Sequence, residues 1–489
     1  MTAVRVVERT DDGRIREAQY GSSAPSKDVS VPKSQHCGPL HQRAMDFGSK
    51  VFLPSGYPHS VSPDYLRYQV FNALQAFCSS LAGLLSSRAL LEGFGVGNAE
   101  ASATHALLLT VLQDFFGRIT TICAAYALGP SLGAEAKTFR LLADVANDAA
   151  IVLDTLSPLI LSRVQIPGAR VGALCLSGAL RAMCGICAGG SKAALSMHFA
   201  TPVSGTGDIG DLNAKDSSKE TVLALFGMLA GSLIVPHLTT PSSTYTVLFT
   251  LVGLHLWLNY HGVRGVVLRT LNRQRLSIAW HHFRDSMDTE VPSPAHVSRR
   301  ERVLDWNFSA LGAGFQAGRC TCDVGSSLVA VFPPGKGSDS IPPPALVNAD
   351  QEDAYILWFD PSSISQNPTQ PTFRAHNHAL GFKMHIFLRR GYSTQHVIKA
   401  WVHAVEVGRM IALQRRTGSR ESLSDPLDLV RVGHKRVGER LERFLELMRE
   451  KGWETGETGL VVGTPRGVIE EVEVVADEQG LGVEGRKER

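Results

Sequence analysis

Two polar patches interrupt an otherwise apolar sequence. In LLADVANDAA, Asp144 and Asp148 are four residues apart and share one face of a helix, with Asn147 beside them. In DIGDLNAKDSSKET, Asp211, Lys215, Asp216, Glu220 and Thr221 stand just before a long uncharged run, and Lys192 and His198 lie shortly upstream. A lysine among several carboxylates in an apolar setting can form a ligand-binding charge pair or a proton relay. An enzyme or cofactor-binding protein built on this pattern would set Lys215 against Asp144, Asp148 or Asp216 in a preorganised concave site. The same residues can equally be structural. Asp and Ser cap helix N-termini, and buried ion pairs lock helices together. Asp144, Asn147, Asp148, His198, Asp211, Lys215, Asp216 and Glu220 therefore form the candidate polar site, with no metal assigned.

The other motifs point to less chemistry. Cys184-Gly-Ile-Cys187 is a CxxC, but it sits in an apolar Gly/Ala segment without a second CxxC or an HxxxH for zinc. It reads as small packing residues. Cys320 and Cys322 form a lone CxC. Gly93, Gly95 and Gly97 are followed by Asn98, where a dinucleotide fingerprint needs glycine, and no strand-like run precedes them. His281 and His282 are adjacent, so on a helix their rings diverge by roughly 100°. There is no phosphate-binding P-loop motif and no GxSxG nucleophile elbow. The motifs name no cofactor.

The elements that would position the polar patches are apolar helices. Basic side chains number 49 and acidic ones 46 in 489 residues, for a formal charge of +3, and 44% of residues are hydrophobic. This balance excludes a disordered chain and a strongly basic nucleic-acid binder. Residues 221–263 contain no Asp, Glu, Lys or Arg. Pro236 and a polar stretch split this run into 221–238 and 245–262, each about long enough to cross a bilayer. Trp257 and Tyr260 near one end suit a membrane interface. Arg264, Arg269, Arg273 and Arg275 just beyond would hold that end on the cytosolic or matrix side. A soluble all-α interaction module, with these helices at its centre, is the competing reading. Tyr68 to Ser87 is a further uncharged run, whereas Asp114, Arg118, Asp154 and Arg181 weaken the remaining segments as spans.

Outside this region the pattern changes. VRVVER and RIREAQY, around Asp12-Gly13, predict a β-hairpin, followed by a Ser/Pro/Lys linker over 21–36. The mixed charges of the first residues do not read as a signal or transit peptide. The segment 317–350, with GKGSDSIPPP, reads as an exposed loop. Beyond it, AYILWF and KMHIFL predict strands, and helices are predicted after Ser393 and near Asp425-Pro426, the second ending by Gly452. VIEEVEVV partly alternates like a half-buried strand.

Several long blocks, in order, resemble one family. FLPSGYPHSVSPDYLRYQVFNALQAFCSSLAGLLSSRALLEGFGVGN (Phe52–Asn98) is similar to the start of the root UVB sensitive (RUS) domain. The resemblance continues through KTFRLLADVANDAAIVLDTLSP (Lys137–Pro158), GGSKAALSMHFA (Gly189–Ala200), DLNAKDSSKET (Asp211–Thr221) and VRGVVLRTLNRQR (Val263–Arg275). It implies a membrane-associated protein, in plants often plastid-linked. It also implies connections to root UV-B responses, early seedling development, auxin transport and vitamin B6 homeostasis, and it brings no catalytic residues. Phe71-Asn72 stands where the family often has Trp-Asp, Ser191-Lys192 where it often has Thr-Arg, and Asn213 where a Ser is usual.

The expected architecture is mainly α. A hairpin and flexible linker (1–44) lead to a membrane-embedded helical RUS bundle (45–300), a linker (301–350) and a small α+β domain (351–489). The expected function is non-enzymatic, transport-related or scaffolding, in small-molecule homeostasis (vitamin B6) or stress signalling. The expected location is integral to an intracellular organelle membrane. The expected partners are the membrane, another member of the same family and an unidentified small molecule, with no nucleic acid.

Overall fold

The computed structural model describes residues 4–9, 15–20, 47–93, 103–163, 166, 168–202, 207–304, 314–315, 320–333, 353–359, 383–417 and 426–471. The protein is mainly α-helical and divides into two units. The first holds residues 1–270, 292–306 and 450–453, and the second holds 271–291, 307–449 and 454–489.

The first unit begins with the predicted hairpin, β1 (Val4–Arg9) antiparallel to β2 (Ile15–Tyr20) with Val4 opposite Tyr20. Its turn and the 21–36 linker lie outside the described residues. Six long helices follow: α1 (Tyr65–Gly93), α2 (Ala103–Leu128), α3 (Ala136–Arg163), α4 (Ala169–Ala200), α5 (Ile209–Ile234) and α6 (Pro241–Gly265). Asp208 caps α5 by accepting from the amides of Gly210 and Asp211, and Thr240 caps α6 ahead of Pro241. Helix α1 packs on α3, α5 and α6, while α4 packs on α3 and α2. Small residues allow these close approaches. A Cβ at Gly227 of α5 would lie 2.9 Å from the Phe77 carbonyl oxygen of α1. Tyr65, Tyr68, Leu195, Phe199 and Leu212 join α1, α4 and α5 in one buried cluster.

The outside of this bundle is apolar. Among the described residues, four helices are long and apolar enough to cross a membrane: Tyr65–Glu92, Ala106–Ser131, Ala169–Ala200 and Ile209–His237. Only 6% of the apolar window in the second of these is buried, so Leu107, Leu108, Val111, Phe115 and Ile122 face outward. Two expectations change here. Residues 106–131 qualify despite Asp114 and Arg118, because apolar residues outnumber the two charges. Helix α6, expected as half of a spanning hairpin, falls outside this set. It exposes Phe249, Leu254 and Trp257 but buries His255 and Asn259. The arginine cluster after α6 is not a free basic patch either. Arg264 is exposed, whereas Arg273 and Arg275 are buried in the second unit.

The second unit is α+β. Its five-stranded sheet runs β3 (Gly314–Phe315), β4 (Cys320–Val324), β6 (Lys383–Arg389) and β5 (Tyr355–Phe359), with β7 (Val468–Ile469) also on β6. The pairs β4–β6 and β6–β7 are parallel, and β5–β6 is antiparallel. The central strand β6 is buried from Ile386 to Leu388, as its apolar run predicts. Strand β4 corrects the reading of 317–350 as loop. Among residues 321–324 only Cys322 is buried, which gives little pattern, yet pairing with β6 fixes the segment as a strand. The GKGSDSIPPP segment itself lies outside the described residues. Helices α7 (Arg273–Asp285), α9 (Thr394–Thr417) and α10 (Pro426–Glu450) also belong to this unit, while α8 (Pro294–Arg300) belongs to the first. Trp280, Phe283 and Phe444 pack ring to ring, and Trp401 donates to Ser277 Oγ at 3.0 Å.

Candidate functional site

A cavity of about 590 Å³ lies inside the bundle, between α1, α3, α4 and α5, with His255 of α6 at its wall. That is within the range of small-molecule pockets. Its wall mixes apolar residues such as Leu195, Phe199 and Ala224 with many polar side chains. Helix α1 contributes Gln69, Asn72, Gln75 and Ser79, spaced three or four residues apart and so along one stripe. Helix α3 contributes Arg140, Asp144 and Asn147; α4 contributes Lys192 and Ser196; α5 contributes Asp216, Glu220 and Thr221.

Every cation here is matched to a carboxylate. Arg140 pairs with Asp144 at 2.7 Å one turn along α3, Lys219 with Asp216 at 2.8 Å, and Lys192 with Glu220 at 3.2 Å. Neutral side chains join the pairs. Tyr65 Oη and Gln69 Nε2 donate to the two oxygens of Asp216 at 2.7 and 2.6 Å, and the Lys219 ammonium lies over the Tyr65 ring. Asn72 donates to Glu220 at 2.9 Å and accepts from Arg140 at 3.3 Å. Gln75 donates to Asn72 at 3.1 Å, and its oxygen lies 2.6 Å from His255 Nε2. His255 Nδ1 contacts Asp148 at 2.7 Å. Asp144 Oδ2 and Asp148 Oδ1 are buried without a hydrogen-bond partner among the described residues. Such bare acceptors favour a ligand that brings N–H or O–H donors.

The eight residues singled out from sequence are distributed as follows. Asp144, Asn147, Asp216 and Glu220 line the cavity, and Asp148 stands behind it through His255. The other three lie away from the cavity. His198 contacts Asp64 at 3.1 Å, where Asp64 also accepts from the Val267 amide. Asp211 accepts from the Ser55 amide at 2.7 Å, and Lys215 donates to the Lys50 carbonyl at 2.5 Å. The reason is helical phase. Residues 211 and 215 share a face that ties down the segment before α1, while 216 and 220 are turned about 100–180° from it toward the interior. Lys219, not Lys215, is thus the lysine at Asp216.

Sequence reasoning missed Arg140, Gln69, Asn72, Gln75, Lys219 and His255. The signal was available for α1, where Gln69, Asn72, Gln75 and Ser79 are polar residues at helical spacing within the uncharged run 68–87. Counting charges overlooks them. Cys184 also lines the cavity, and Cys184 and Cys187 are free thiols.

A second polar cluster lies in the α+β unit. His403 of α9 is fully buried and donates Nε2–H to the Val430 carbonyl at 2.8 Å, while Nδ1 accepts from Tyr355 Oη at 3.1 Å. Burial pushes its ring down to about 3, so it stays neutral. Burial would raise the Asp353 carboxyl, but hydrogen bonds from His434 and Lys399 outweigh that and hold it at about 2. Among the described residues, no three His, Cys, Asp or Glu side chains gather as metal ligands.

The first unit is an apolar-faced helical bundle around an internally paired polar cavity, and the comparisons agree on its family. Residues 39–287 match the family described as a vitamin B6 photo-protection and homoeostasis domain. The chain belongs to this family, the root UVB sensitive (RUS) family. It is 33% identical over 278 residues to RUS family member 1 of Dictyostelium discoideum, covering 56% of this chain and 50% of that one. It is 35% identical over 256 residues to Protein root UVB sensitive 3 of Arabidopsis thaliana, covering 52% and 56%. Protein root UVB sensitive 2, chloroplastic, of the same plant is 28% identical over 267 residues, covering 54% and 58%. The chain thus spans about half the length of these relatives, and none of their names is that of an enzyme. No solved structure matches it.

Proposed function

We propose that this protein is a non-enzymatic, integral component of an intracellular organelle membrane that binds a small polar molecule in its bundle cavity and serves its transport. The observation behind this reading is the cavity of about 590 Å³, walled by ion pairs and amides, inside helices whose outer faces are apolar. Polar and charged groups at membrane depth face a bundle interior or a water-filled pathway. The family description supports a vitamin B6-type molecule as the cargo. A chloroplastic relative supports an organelle as the location. Hydroxyl and ammonium donors on the cargo would suit Asp144, the cavity-lining carboxylate on α3 that has an oxygen without a partner among the described residues.

The test is uptake of radiolabelled pyridoxine into proteoliposomes holding the full chain. Saturable uptake that disappears in Ala224→Trp, which fills the cavity without removing an ion pair, supports the reading. Uptake no greater than in protein-free liposomes, or unchanged in that variant, contradicts it.

A further inference from the structure

We infer that the cavity takes molecules without net negative charge and turns away phosphate monoesters, and that Glu220 is the residue that sets this choice. The inference rests on the cavity being the binding site proposed above, and it follows from how charge is distributed in the wall. A phosphate monoester carries roughly two negative charges near pH 7. Moving it from water into a walled cavity is costly unless cations or N–H donors there are free to receive it. The wall and the groups directly behind it hold three such cations, and each is matched: Arg140 with Asp144, Lys219 with Asp216 and Lys192 with Glu220. Three against three leaves no surplus positive charge among the described residues. His255 does not supply one, because it contacts Asp148, whose carboxylate would match a charge on the ring.

Two of the cations are also committed through their donors. Arg140 gives Nη1 to Asp144, Nη2 to Asn72 Oδ1 and Nε to Tyr68 Oη. Lys219 donates to Tyr65 Oη at 2.7 Å besides pairing with Asp216. The side chains in these two pairs are buried, none more than 14% exposed. The third pair is the open one. Lys192 reaches Glu220 Oε1 and Oε2 at 3.3 and 3.2 Å, and the two side chains are 41% and 35% exposed. Both line the cavity. An anion drawn to Lys192 therefore meets the Glu220 carboxylate beside it, and attraction to one is offset by repulsion from the other. Displacing Glu220 would only strand its charge in the wall. A neutral or zwitterionic molecule faces no such conflict. Its hydroxyl or ammonium donors suit a wall in which Asp144 keeps an oxygen without a partner among the described residues. Glu220→Gln preserves the shape of the pair and leaves three cations against two carboxylates, so it should convert the cavity into one that accepts phosphate.

The test is binding of inorganic phosphate, followed by phosphorus NMR, to the detergent-purified full chain and to Glu220→Gln. The part of the binding lost when Ala224→Trp is added counts as cavity binding. The expected result is that Glu220→Gln binds phosphate in the cavity about 10- to 100-fold more tightly than the parent, and that Glu220→Gln/Lys192→Met loses the gain. If Glu220→Gln does not fold, Asp216→Asn, which leaves Lys219 unmatched, takes its place with Lys219→Met as its control. Cavity phosphate held as tightly by the parent as by the variant, no gain in the variant, or a gain that survives loss of the lysine, overturns the inference. Pyridoxine and its 5′-phosphate are then compared on the parent. A preference for the 5′-phosphate also overturns it. Binding of neither contradicts the proposed cargo, while the phosphate gain in Glu220→Gln still decides the charge rule.

Discussion

Replacing Arg140 with methionine isolates the electrostatics of the cavity wall. The guanidinium and Asp144 side chains are 13% and 8% exposed, and the pair is 2.7 Å long. Asp144 Oδ2 already lacks a partner, so Arg140 supplies the polar contact this carboxylate has among the described residues. Arg140→Met would leave an uncompensated buried charge, and such losses cost roughly 3–5 kcal/mol. At about 2–4 °C per kcal/mol for a unit of this size, the melting temperature should fall by roughly 6–20 °C. Asp144→Leu in the same chain removes the stranded charge. Arg140→Met/Asp144→Leu should therefore recover to within about 1 kcal/mol of the parent, because an ion pair and an apolar pair of similar volume are often near equal in stability. The assay is thermal unfolding of detergent-purified protein across the four-member double-mutant cycle. A shift below about 2 °C for Arg140→Met, or simple additivity in the double variant, would refute this account of the wall.

Two further perturbations test the packing and the α+β unit. A Cβ at Gly178 of α4 would lie 2.7 Å from the Gln113 carbonyl oxygen of α2, whereas one at Gly185 meets nothing within 4 Å. Gly178→Ala should thus destabilise by about 1–3 kcal/mol, while Gly185→Ala should be neutral or stabilise by up to about 1 kcal/mol, both read from melting temperatures. His403 gives a pH dependence whose sign is fixed. Its folded value near 3 lies below the unfolded value near 6.5, so the stability it contributes is complete above pH 6.5 and lost as pH falls toward 3, up to about 5 kcal/mol. Hydrogen exchange of residues 394–417 in the full chain, corrected for intrinsic rates, should lose protection over this window, and His403→Gln should flatten the response.

The helices and the α+β character of the C-terminal unit were legible because they rest on local pattern. Pro426 and Ser393 mark helix starts, and KMHIFL is an apolar run bounded by loops. Strand β4 was not legible, because its identity comes from pairing with β6, more than 50 residues away. The acidic members of the site, Asp144, Asp216 and Glu220, stood out as charges in apolar sequence. Gln69, Asn72, Gln75 and His255 did not, since a neutral residue in a helix acquires its role only from what faces it across the bundle. Lys215 shows the converse. Its charge attracted attention, but its phase on α5 turns it to the Lys50 carbonyl.

The central claim is that the apolar faces of the first unit lie in a bilayer. Alkaline carbonate extraction of membranes from cells expressing the tagged full chain tests it most directly. The account predicts that the protein stays in the membrane pellet, held by helices such as Ala106–Ser131 whose apolar side chains point outward. Release into the supernatant would contradict it.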